Sequence, residues 1–167
     1  MAITLDGSNL TTSGVINRGT AVASTSGTSI DFTNIPIGAT RITVIFNGVS
    51  TNGTDNYFLQ IGDSGGIETT GYVSGVLNGS ATPTNATSTS AFIIDGSVGA
   101  ANINNGTAVI TNLNGNLWVC TSILNNAGVS KIQGGTKTLS ATLDRVRITT
   151  TSGTDTFDAG SINILYE

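Results

Sequence analysis

Histidine is absent from the 167 residues, and with it goes the side chain most used as a general base and metal ligand near neutral pH. Cysteine occurs once, at Cys120, which excludes an internal disulfide and a zinc-finger ligand set. Six basic residues stand against ten acidic ones, for a net charge of −4. Phosphate backbones require clustered Lys and Arg, so nucleic acid is not an expected partner. No apolar run approaches membrane-spanning length, and the first twenty residues lack a charged start and an apolar centre. Neither a membrane partner nor a signal peptide is expected. Glu, Lys and Gln number two each, leaving few of the residues that favour exposed helix faces.

What is present points the other way. Gly, Thr, Ser and Asn together make up 84 residues. Thr is β-branched and suits a pleated surface, while Gly, Asn and Ser supply turns. Disordered chains combine few hydrophobics with high charge, whereas here hydrophobics are 38% and charged residues 10%. The composition describes a folded, all-β domain with neutral, hydroxyl-rich surfaces.

Alternation along the chain supports that class. "TRITVIFNGV" sets Ile42, Val44 and Phe46 against Arg41, Thr43 and Ile45, the period of two that a half-buried strand requires. Ile45 on the second face needs a cover. "NYFLQIG" sets Tyr57, Leu59 and Ile61 against Phe58 and Gln60, and "SINILYE" offers Ile162, Ile164 and Tyr166 to one side. "TAVAST" and "TSIDFT" read as two short strands around Ser26-Gly27, and Asn52-Gly53 is a hairpin signal. "TAVITNL" and "NLWVCTSIL" form a hairpin around Asn114-Gly115. Residues 74–90 and the stretch "NNAGVSKIQGG" read as loops. The sum is roughly eight to ten short strands, expected to form an antiparallel, jelly-roll-like β-sandwich over residues 20–167. Residues 1–19, with scattered apolar side chains, are expected to be an extended N-terminal arm.

"GDSGG" at 62–66 spells the loop around the nucleophile of trypsin-like proteases. That serine works only beside a base. Without histidine, Lys131 and Lys137 are the lysines that remain, and nothing local brings either to Ser64. Ser64 is read as a turn residue, and no catalytic residue is assigned.

Asp155 and Asp158, with Asp144 upstream, are the carboxylates to weigh as a glycosidase pair or as calcium ligands. Their spacing matches no standard calcium loop, and Asp side chains bonding turn backbones are the expected role. Asp6, Asp31, Asp55, Asp63, Glu68 and Asp95 are scattered near turns or strand ends. No metal or cofactor is expected. Trp118, Tyr57, Tyr72 and Phe92 are candidates for stacking on sugars, yet with nine aromatics in the chain the core has first claim on most of them. Tyr72 stands evenly between the two roles. Cys120, inside "NLWVCTSIL", reads as a small buried hydrophobe. Arg145 and Arg147 share a strand face and can pair with acids. Five sequons, at Asn9, Asn52, Asn78, Asn85 and Asn105, follow from so much Asn and Thr.

Several stretches together resemble the virion surface proteins of tailed bacteriophages: "MAITLDG", "RITVIFNGVSTNG", "LQIGDSGGIETTGY" and "KTLSATLDRVRITTTSGTDTFDAGSINILYE". That group includes small capsid decoration (cement) proteins and the terminal β-domains of tail fibres and tailspikes. The resemblance implies a homotrimeric β-sandwich on the outside of a virion, made in the host cytoplasm. Decoration and stabilisation of the capsid, with the major capsid protein as partner, is the favoured role. A fibre or tailspike head reading host cell-surface glycan is the alternative. The resemblance carries no catalytic residues.

Overall fold

The computed structural model describes residues 16–167. Fourteen strands run through them: β1 (Asn17–Arg18), β2 (Val22–Ala23), β3 (Ser29–Phe32), β4 (Arg41–Thr51), β5 (Tyr57–Asp63), β6 (Gly66–Ile67), β7 (Tyr72–Asn78), β8 (Thr84–Ser88), β9 (Phe92–Asp95), β10 (Asn104–Asn114), β11 (Leu117–Asn126), β12 (Val129–Thr138), β13 (Leu143–Thr150) and β14 (Phe157–Tyr166). No helix occurs among the described residues. All pairings are antiparallel.

Two sheets face each other as a sandwich. The wide one has nine strands: β1 and β2 lie along one edge of β14, followed by β4, β10, β11, β12, β7 and β8. The narrow one has five, in the order β3, β13, β5, with β6 and β9 sharing the far side of β5. Alternation drives this packing. Ile42, Val44, Ile110 and Ile162 point inward from the wide sheet, and Leu59, Ile61, Val146 and Ile148 from the narrow one, all within one core. β9 is covered on both faces. Phe92 and Ile94 enter the main core, while Ile93 joins Phe58, Val76 and Ala91 in a smaller cluster.

Backbone irregularities appear where the sheets must bend. Gly48 and Gly160 sit opposite each other with φ of 68° and 91°. A Cβ on Gly160 would lie 2.4 Å from the backbone of Gly48, so the register shift between β4 and β14 needs glycine there.

Several sequence expectations change. Residues 74–90 are mostly strand, since β7 and β8 pair as a hairpin. Their polarity misleads because β8 is an edge strand and β7 turns Ser74 and Asn78 inward. "NNAGVSKIQGG" is likewise strand beyond a tight turn: Ala127 and Gly128 take φ of 49° and 85°, as in a type I′ hairpin, and β12 follows. Asn52-Gly53 makes no hairpin. It crosses from β4 in the wide sheet to β5 in the narrow one, pinned by mutual bonds between Asn52 and Thr156. The strands flanking Ser26-Gly27 also separate, β2 pairing with β14 and β3 with β13. The strand count exceeds ten, and β4, β10, β11, β12 and β14 are long rather than short. Most of the expected arm, residues 1–15, lies outside the described residues; Asn17 and Arg18 pair with β14.

Cys120 is fully buried on the inner face of β11, where burial pushes its thiol pKa up. Cys120→Ser is therefore expected to cost about 1–3 kcal/mol by placing an under-bonded hydroxyl in the core. A melting temperature equal to that of the parent protein would contradict this placement.

Candidate functional site

The "GDSGG" segment is a tight hairpin between β5 and β6, with Ser64 and Gly65 at its tip. Gly62 is required by close approach: a Cβ there would meet the Gly66 carbonyl oxygen at 2.1 Å. Ser64 is exposed. The polar chemistry sits beside it rather than on it. The Asp63 carboxylate accepts from the Ser140 hydroxyl at 2.7 Å and from the Gly65 N–H at 2.8 Å. These bonds hold its pKa below the ordinary range, Ser140 contributing most.

Glu68 accepts the Ser140 N–H at 2.7 Å and pairs with the Lys137 ammonium. Partial burial opposes its ionisation, but the bonds from Lys137 and Ser140 outweigh that, and its pKa is lowered. Lys137 also donates to the Thr138 carbonyl at 2.8 Å and stands 5.4 Å from the centre of the Tyr72 ring. Its ammonium is thus committed to Glu68.

Lys131, the other lysine, is committed too. It lies 3.3 Å from Asp95, and the two side chains are 3% and 0% exposed. Asn126 donates to the second Asp95 oxygen, and the Ser97 N–H to the first at 3.1 Å. Both lysines project from the inner face of β12, six residues apart, and each meets an acid carried by the narrow-sheet side of the fold. They tie the two layers together at separated points. Sequence reasoning treated them as stray bases; their same-face spacing on one alternating segment was the available signal.

The remaining carboxylates are similarly engaged. Asp155 accepts the Asp55 N–H at 2.9 Å, and Asp158 accepts the Ser50 hydroxyl. These are bonds to residues far away in sequence, not to each Asp's own turn. Asp55 in turn accepts from Ser152. Asp144 pairs with Arg145 and Asp31 with Arg147, each at 2.6 Å. Among the described residues no three His, Cys, Asp or Glu side chains are grouped to hold a metal; Asp6 lies outside those residues.

The four aromatics weighed for sugar stacking are all buried: Tyr57, Tyr72, Phe92 and Trp118 are at most 3% exposed. Tyr72 packs edge-on to Phe92 with ring centres 5.0 Å apart. Its hydroxyl accepts from the Ile61 N–H at 2.9 Å and donates to the Glu68 carbonyl at 3.0 Å. Burial pushes the Tyr57 hydroxyl up to about 12. Of the sequon residues, Asn78 is buried and Asn105 accepts the Gly48 N–H at 2.8 Å, whereas Asn85 is exposed.

No protein-family model, curated protein or solved structure matches the chain.

Among the described residues, the two outer faces of the sandwich are broad surfaces open to recognition. The outer face of β10, β11, β12, β7 and β8 exposes Ile123, Ile132, Leu77 and Val73. The outer face of the narrow sheet instead carries a polar cavity of about 390 Å³. Phe58, Gln60, Arg147 and Thr149 line it from the strands, and Thr69, Ser90 and Ser152 from three surrounding turns. The Gln60 amide donates to the Ser90 carbonyl at 3.1 Å, fixing one wall.

Proposed function

We propose that this chain is a structural protein of a tailed-bacteriophage particle. It assembles as a trimer on the outer surface and stabilises the shell through contact with the major capsid protein. The observation that carries this reading is the disposition of the reactive side chains. Both lysines are buried in ion pairs, and the sole cysteine is in the core. The carboxylates named above answer hydroxyls, backbone N–H groups or cations within the same chain. Such a molecule offers its surroundings a rigid surface of Thr, Ser, Asn and Gly with a few aliphatic side chains. That is a surface for contact rather than turnover, and it agrees with the resemblance of the sequence to virion surface proteins.

A second reading draws on the polar cavity of the narrow sheet. Its hydroxyls, the Gln60 amide and Arg147 suit the hydroxyls of a saccharide, which favours a fibre or tailspike head that reads host-surface glycan. One set of measurements separates the two. Purified protein is mixed with particles lacking it and, in parallel, with host cell-surface glycan. Saturation of the particles at a copy number on the scale of the shell subunits supports decoration. Retention on glycan without cleavage, and no particle saturation, supports the glycan reader. Cleavage of the glycan would overturn both.

A further inference from the structure

The strands β10, β11, β12, β7 and β8 contain two charged residues, Lys131 and Lys137, and both point inward. Their outer face therefore carries no charge. Exposed sheet faces of monomeric proteins are normally interrupted by Lys or Glu, and an uncharged face that presents large aliphatic side chains among hydroxyls suits contact with another protein surface.

The relief of this face is regular. Ile123, Ile132 and Leu77 are direct register partners across β11, β12 and β7. They are 65%, 55% and 47% exposed and form a ridge. The next outward row is Thr121, Gly134 and Gly75, where two of three positions lack a side chain. A Cβ placed on Gly134 would meet nothing within 4 Å, and a cavity of about 270 Å³ lies along this row. Val119, Thr136 and Val73 bound the trough on its far side.

From this relief we infer that the outer face of β10, β11, β12, β7 and β8 is the surface by which copies of this chain associate. The inference rests on the oligomer in the proposed function and names its interface. The occupant is a second copy because the face is complementary to itself. Ridge and trough are each one residue row wide and lie about 7 Å apart, the repeat of alternate residues on a strand. In a closed ring of three the ridge of each copy enters the trough of the next, so no ridge or trough is left open. Size agrees as well. Five strands at about 4.8 Å spacing, averaging nearly nine residues at about 3.3 Å each, give a face on the order of 700 Å². Stable complexes bury roughly 800 Å² per partner. A charged partner would find nothing on this face to pair with, and would lose solvation in covering it.

The test is the solution mass by light scattering of full-length protein at micromolar concentration, for the wild type and two variants. Ile132→Asp places a charge on the ridge. Gly134→Val fills the trough. Both sites are on the outer face, and Val suits a strand, so circular dichroism is expected to be unchanged. The wild type should have the mass of a multimer and both variants that of a single chain. A wild type that is monomeric overturns the inference. Variants that keep the wild-type mass overturn it alone, because assembly then uses another surface. Saturation of particles by the wild type reports on the virion reading separately, so the two can fail independently.

Discussion

Lys131→Met should lower the unfolding free energy by about 3–5 kcal/mol, the cost of stranding one member of a buried ion pair. Asp95 is completely inaccessible to solvent, and its carboxylate is held by Lys131, Asn126 and the Ser97 N–H. Removing the ammonium leaves an anion whose remaining partners are neutral. Since a domain of this size is stable by roughly 5–15 kcal/mol, the variant should unfold at a much lower urea concentration. Adding Asp95→Leu to Lys131→Met should restore part of the loss, because the uncompensated charge is gone. The recovery is partial, as Asn126 and the Ser97 N–H then lose their acceptor. Urea unfolding followed by tryptophan fluorescence reports both variants, Trp118 being buried in the same core. A single variant within about 1 kcal/mol of the parent would show that the pair is solvated, contrary to its burial.

The second large effect is expected from removing residues 161–167. β14 is an interior strand, bonded to β4 on one side and to β1 and β2 on the other. Ile162 and Ile164 are 1% and 4% exposed, and burying side chains of this kind contributes about 1.5–3 kcal/mol each. Loss of the strand also removes the Glu167 carbonyl that accepts from Thr40 and Arg41, and the Ile164 carbonyl that accepts from Gly19. β4 would become a long edge strand, with Ile42, Val44 and Phe46 uncovered along one side and with unpaired backbone groups. Such an edge invites aggregation. The truncated protein should appear in the insoluble fraction. A soluble product with a cooperative thermal transition would refute this account of β14.

How much of the molecule was legible beforehand depended on where each strand keeps its apolar side chains. In β4, β5 and β14 the buried face is apolar and the period of two is local, so Ile42, Val44 and Phe46, then Tyr57, Leu59 and Ile61, then Ile162 and Ile164 announce both strand and core face. In β7 and β12 the pattern is inverted. Ser74, Asn78, Lys131, Gln133 and Lys137 are buried, while Val73, Leu77 and Ile132 face solvent. A reader of local hydropathy sees polar loops there, because the reason for the inward polar residues lies elsewhere in the chain. Asp95 and Glu68 supply it, and they are brought to β12 only by the packing of the narrow sheet.

Turn chemistry shows the same division. Asn114-Gly115 does join paired strands, but Asn52-Gly53 joins strands of different sheets. The dipeptide permits a reversal with positive φ; which strand lies alongside is decided by contacts a hundred residues away, such as that between Asn52 and Thr156. The same holds for Asp155 and Asp158, whose turn-bonding role in the sequence becomes, in the fold, a bridge to the distant residues Asp55 and Ser50. Composition and alternation by themselves determined an all-β sandwich and the buried apolar faces of β4, β5 and β14, because those signals are carried by neighbouring residues. The pairing of strands, the buried lysine latches and the uncharged outer face were decided by tertiary structure alone, since each is a relation between segments far apart in the chain.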